Sequence, residues 1–248
     1  MLAEGMPTIS ADGLTYTIAL RKGVKFHSDK DMTADDVVAS LQRWMDVSAR
    51  GKAVGQEIAS MTAKNANTVE IKLKAVYAPL LAHLAMPSGM AGIMPKESVA
   101  PVLKDFIGTG PYKLKERKPD QFTVLTRFEK YAARSEPASG YAGKREALLD
   151  ELRFVPVPNA TTRVEGVLSG QFQYSDLLQV ESMGRIEKGA PNVVPIVTQN
   201  FGFPYIVFNT KEGVLAKKEL RQAVQTAMGP AEMLQAGFGD KRFFTAEP

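Results

Sequence analysis

The chain has 248 residues, 44% of them hydrophobic and 23% charged, with a formal net charge of +4 and no cysteine. This is ordinary globular composition, long enough for one large core or two smaller ones. Disulfides and thiol chemistry are excluded. The 31 basic residues form no dense block, so no nucleic-acid partner is expected, and the apolar runs fall far short of the ~20 residues a membrane span needs. The opening residues, MLAEGMPTIS, carry neither a basic nor an apolar leader pattern, so the sequence is expected to be soluble as it stands and to lack a signal peptide.

Residues 15–20, TYTIAL, alternate and predict a strand. MTADDVVASLQRWMDVS follows. Thr33 and Asp36 have capping-box spacing, Asp35 and Asp36 suit the positive end of a helix, and Val37, Leu41, Trp44, Met45 and Ser48 form one stripe. A helix over 34–48 is predicted. EIASMTAKNANTVEIKLK predicts two strands around the turn Asn65-Ala66-Asn67, with Val69, Ile71 and Leu73 facing inward. Residues 79–86, PLLAHLAM, predict a short helix stopped at Pro87-Ser88-Gly89, and Pro95 starts another through Val99.

DFIGTGPYKLKE raises the question of a phosphate loop. Such a loop needs several free N–H groups and feeds a helix. Pro111 has no N–H, and Tyr112 and Leu114 then alternate with Lys113 and Lys115. The stretch therefore reads as a tight or left-handed backbone path at Gly108 and Gly110 into a strand. FTVLTRF pairs with it across a turn at Pro119-Asp120, 131–146 is a surface loop, and ELRFVPV is a strand. Asn159 caps a helix that stops at Gly170. QYSDLLQ is extended, ESMGRIEKG is a helix, and VVPIVTQ and PYIVFNT are strands. Residues 217–228 predict an amphipathic helix with Leu220, Ala223, Val224, Ala227 and Met228 inward, and Gly229-Pro230 opens a further turn or helix. Mixed strands and helices make the class α/β or α+β.

Catalytic chemistry is hard to find. The two histidines, His27 and His83, lie 56 positions apart, and no metal motif or hydrolase elbow is present. His27 reads as structural or solvated, and His83 as a satisfied, partly buried histidine. Asp35-Asp36 and Asp150-Glu151 are adjacent pairs whose side chains diverge, unlike a hydrolytic pair. Phe201, Phe203 and Tyr205 alternate and are either sheet core or the wall of a cleft.

Taken together, DGLTYTIALRKGVKFH, MTADDVVASLQRW, IGTGPYKLKE and FNTKEGVL…LRQAVQTAM are collinear over almost the whole chain. In that order they resemble the peptide/nickel class (family 5, oligopeptide/dipeptide-binding) of solute-binding proteins of ABC transporters. One departure lies at HSDKDM, where the family phrase has an Asp-Gly and then a Pro. The resemblance implies an α/β fold of the periplasmic-binding-protein-like class II, with mixed sheets and flanking helices. It also implies that the sequence is a fragment lacking most of a third lobe. On this reading 1–105 is the small second domain, 106–210 the middle of the first, hinge-linked lobe, and 211–248 the start of the third. GTGPY is then the crossover between lobes.

The implied function is capture of a peptide or similar small solute and its delivery to a membrane ABC permease by hinge closure. No catalysis, cofactor, metal or nucleic acid is involved. The implied location is periplasmic or lipid-anchored extracellular. Ligand-binding candidates are Asn200, Phe201, Gly202 and Phe203 at the cleft-side strand start, with Tyr77, Met86, Ser88 and Gly89 on the second lobe's loop edge. Alternative readings are a ligand-sensing domain of a regulator, or a hydrolase whose catalytic residues lie outside this sequence. A fold cut in this way leaves apolar faces uncovered, so self-association is expected.

Overall fold

The computed structural model describes residues 2–189, 192–198 and 204–245. The chain divides into two compact units, Met1–Pro156 and Val157–Pro248.

The first unit contains two antiparallel sheets. Strands β1 (Thr8–Ile9), β2 (Thr15–Ala19), β3 (Ile58–Asn65) and β4 (Thr68–Leu73) form a sheet of order β1-β2-β4-β3. Tyr16 pairs with Ile71 and Ile18 with Val69. In β4 the expected alternation holds: Val69, Ile71 and Leu73 are buried, whereas Glu70 and Lys72 are not. Helices α1 (Ala34–Val47) and α2 (Ala49–Glu57) contribute to the same core. Val37, Leu41, Trp44 and Met45 of α1 and Val54 of α2 pack with Tyr16, Val69 and Ile71, each fully buried aliphatic side chain stabilising the fold by about 1.5–3 kcal/mol. Helix α2 and strand β1 have no counterpart in the sequence reading. ARGKAVGQE has too few apolar residues to show a period, and a two-residue strand has no period to show.

Helix α1 also has a polar stripe at Asp36, Ser40 and Arg43, one turn apart. Each side chain binds the backbone of the irregular segment 94–101. Lys96 N–H donates to Asp36 Oδ1 at 2.9 Å. Ser40 Oγ donates to Met94 O and accepts from Met94 N–H, both at 3.0 Å. Arg43 Nε donates to Ala100 O at 2.6 Å. Asp36 is fully buried and also receives Lys30 Nζ at 2.8 Å, Thr33 N–H at 2.9 Å and Thr33 Oγ1 at 2.7 Å. The expected capping spacing is therefore used, with the Thr33 hydroxyl donating to the carboxylate. Burial pushes the Asp36 carboxyl up, but Lys30, the Lys96 N–H and Thr33 outweigh it and hold the group below the ordinary carboxylate range.

The second sheet comprises β5 (Tyr112–Lys118), β6 (Phe122–Arg127) and β7 (Glu151–Phe154), in that order. The hairpin turns at Pro119-Asp120 as expected, with Asp120 in the left-handed region at φ 59° and Gln121 N–H donating to Lys118 O at 3.1 Å. A bulge lies between Leu114 and Glu116. Strand β7 is shorter than the sequence suggests because Pro156 and Pro158 cannot donate to a ladder. Helix α3 (Leu80–Ala85) and a 3-10 turn at Lys96–Ser98 match expectation.

In the second unit, α4 (Ala160–Leu168) is capped by Asn159, whose Oδ1 accepts from Thr162 N–H at 2.9 Å. Helices α5 (Met183–Gly189), α6 (Lys218–Ala227) and α7 (Pro230–Phe238) follow. Two expectations fail here. Residues 193–198 and 204–210 adopt no strand, since a β pattern becomes a strand only where a partner strand completes its ladder. The predicted inward face of α6 is not buried: Leu220 is 41% exposed, and Ala223 and Ala227 are also exposed.

Replacing Asp36 with Ala removes the anchor of the 94–101 segment, while Lys30 keeps its second partner, Glu97, at 2.9 Å. We expect a loss of about 1–3 kcal/mol in urea unfolding at neutral pH. Because the native carboxyl is held low, this contribution is present above the unfolded carboxylate value and fades as pH falls through the native one. The difference between wild type and D36A should therefore shrink in acid.

Candidate functional site

The loop edge after α3 is built on the α1–α2 junction. Trp44 Nε1–H donates to Gly89 O at 2.8 Å, and the Arg50 guanidinium donates to Ser88 O. Gly89 lies in the left-handed region at φ 62°. A Cβ there would meet Arg50 Nη1 at an ordinary 3.7 Å, so the backbone angle and not space favours glycine. Met86 closes α3, its N–H donating to Ala82 O at 3.0 Å, and its side chain is 42% exposed. Tyr77 packs on the core and its ring is stacked on His83, with centroids 5.9 Å apart and planes within 1°.

The structure thus ties Ser88 and Gly89 to one junction and pairs Tyr77 with His83. Asn200, Phe201, Gly202 and Phe203 lie outside the described residues. Tyr205, read alongside Phe201 and Phe203 as core or cleft wall, is 74% exposed. Trp44, Arg50 and His83 were missed as neighbours of this edge. The sole tryptophan, with its N–H needing a partner, was a signal that could have found the first. His83 is half-buried, but its Nδ1 has no hydrogen-bond partner among the described residues, which corrects the expectation of a satisfied histidine.

The GTGP stretch offers no anion cradle. Neither Gly108 nor Gly110 takes a left-handed φ, which corrects that part of the sequence reading. The path is held by His27 instead. Gly108 N–H donates to His27 Nδ1 at 3.2 Å, His27 Nε2 lies 3.0 Å from Gly110 O, and His27 N–H donates to Gly108 O at 2.8 Å.

Among the described residues no group of three His, Asp or Glu side chains could hold a metal ion, and no helix is long and apolar enough to cross a membrane. In the second unit an open cleft of about 550 Å³ is lined by Ile206, Phe208, Lys218, Arg221, Gln222 and Met228, among others.

The model of the bacterial extracellular solute-binding proteins, family 5, matches residues 1–243. The chain belongs to this family. A probable peptide ABC transporter periplasmic-binding protein of Sinorhizobium fredii is 27% identical over 95% of this chain and 46% of its own length. The glutathione-binding protein GsiB of Salmonella choleraesuis is 27% identical over 96% of this chain and 45% of its own. The family 5 chain therefore spans about half the length of these relatives. Among solved structures, the ABC transporter-associated periplasmic binding protein DppA of Helicobacter pylori, in complex with the peptide STSA, superposes with a TM-score of 0.74 at 23% identity, covering 96% of this chain and 49% of that one. That likeness shows the fold: periplasmic-binding-protein-like, with mixed α/β content.

Trp44 is both a core residue and the clamp on Gly89. Trp44→Phe keeps most of the packing and removes the indole N–H. We expect a loss of about 1–3 kcal/mol and faster proteolytic cleavage between Met86 and Gly92, read by limited proteolysis and mass spectrometry.

Proposed function

We propose that this chain is part of the solute-binding component of an ABC importer, one that captures peptides or similar small solutes outside the cytoplasmic membrane and hands them to a permease. The observation carrying this reading is the family 5 match over nearly the whole chain, supported by relatives named for peptide and glutathione binding. Residues 1–105 act as the small second domain, 106–210 as the middle of the hinge-linked first lobe, and 211–248 as the start of the third. Capture closes the lobes about a hinge, the ligand shifting an open–closed equilibrium by its preference for the closed form. Asn200, Phe201, Gly202 and Phe203 line the cleft, and Tyr77, Met86, Ser88 and Gly89 form a rim on the second domain. Peptide sites of this kind read main-chain groups and enclose side chains in wet pockets, so tight binding does not demand one sequence. The ligand leaves chemically unchanged, and no cofactor takes part.

The test is native mass spectrometry on protein purified without denaturation. The expected result is an added peptide-sized mass that disappears on denaturing and returns when a dipeptide mixture is added. A bare mass that no peptide or small-solute mixture shifts, in this chain and in the full-length protein alike, overturns the reading.

A second outcome follows from the surface. Val194, Ile196, Tyr205 and Val207 are each 74–80% exposed, and large apolar side chains left together in water favour association. The chain by itself should self-associate at tens of micromolar. A monodisperse monomer by multi-angle light scattering would count against this.

A further inference from the structure

His27 is a well-defined polar contact for which the binding function has no use. A backbone N–H can only donate and a carbonyl can only accept. Gly108 N–H on Nδ1 therefore requires that nitrogen to be bare, and Gly110 O opposite Nε2 requires the proton there. Only the neutral ring, in one tautomer, satisfies both. The ring is half-buried and set edge-on to Phe128, with centroids 5.1 Å apart and planes at 75°.

The charged groups around it are placed as follows. Lys113, from β5, holds its Nζ 6.0 Å from the centre of the Phe128 ring and opposes a second positive charge. Asp29, from His27's own loop, is engaged by Lys130 at 2.6 Å, and Lys25 by Asp31 at 2.8 Å. The carbonyls of Gly110 and Phe106 favour the charged ring. Burial is the largest effect, and together with Lys113 it leaves the imidazole below its ordinary value.

We propose that His27 is the positioning residue of the 106–111 crossover and an acid-released latch: neutral, it clips Gly108 and Gly110 to the loop before α1, and a proton taken from solvent onto Nδ1 expels the Gly108 N–H. The inference stands on this geometry and not on the transport reading, and its test uses no ligand, so either can fail without the other. The sign follows from the lowered native value. The latch is closed above the ordinary imidazole range and opens as pH falls through the native value.

The measurement is nitrogen-15 NMR of the whole chain, where two histidines give two ring systems, with hydrogen exchange read at Gly108. At about pH 7.5 the His27 ring should be the Nε2–H tautomer with Nδ1 unprotonated. Towards about pH 5, protection of the Gly108 amide should fall at least about tenfold relative to Ile71 in β4, after correction for intrinsic exchange. His27→Gln keeps a neutral donor and does not titrate, so this step should vanish. An Nδ1–H tautomer at neutral pH, Gly108 protection that ignores the titration of His27, or an equal step in H27Q overturns the proposal. Should the variant not fold, the wild-type titration decides alone.

Discussion

Helix α1 is the constraint on which the first unit depends, because it serves two partners with two stripes. Its apolar stripe is buried in the core shared with the four-stranded sheet. Its polar stripe, Asp36, Ser40 and Arg43, satisfies backbone groups of a segment that forms almost no regular structure of its own. A segment like 94–101 has no ladder or helix to absorb its N–H and C=O groups, so side chains must do so. The buried carboxylate is tolerated because four donors surround it. With fewer donors, the cost of burying the charge would exceed the gain.

The second unit is organised differently. Its helices are short, α6 buries no residue, and the apolar stretches around 194–197 and 205–207 are largely exposed. The residues have the composition of core elements without a core beside them. Family membership and the half-length coverage of the relatives supply the physical context. Faces patterned for burial need a surface to bury against, and here that surface is not supplied by the described residues.

What could be read from the sequence follows the same logic. Local signals carried through: the β4 alternation, the Thr33–Asp36 spacing, the Pro119-Asp120 turn and the Asn159 cap each depend on neighbours within a few residues. Signals that need a distant partner did not. The 193–198 and 204–210 stretches pattern as strands, but pairing is decided by a second strand that periodicity cannot supply. Helix α2 was invisible because ARGKAVGQE has little apolar period, and it is held by the Ser48 cap and by the buried Gly51 and Val54. At the candidate site, Ser88 and Gly89 were legible as a turn. Their clamps, Trp44 and Arg50, lie 45 and 38 residues away, beyond any motif. His27 reads as structural or solvated from the sequence, and its partners, 81 and 83 residues on, lie beyond any local signal.

Asp29 joins these threads. It takes the left-handed conformation, at φ 68°, that glycine adopts freely. Aspartate is among the few other residues that tolerate this region. Its carboxylate pairs with Lys130 at 2.6 Å, linking the loop of His27 to the chain just beyond β6. The backbone shape is thus kept by a residue that also adds a polar tie to the one the His27 ring makes. The His27 tie joins the loop before α1 to the stretch entering β5, and the Asp29 tie joins it to the chain just beyond β6. Such ties determine how far strain at one sheet of the first unit is felt at the other, because a segment without secondary structure transmits force only through its hydrogen bonds.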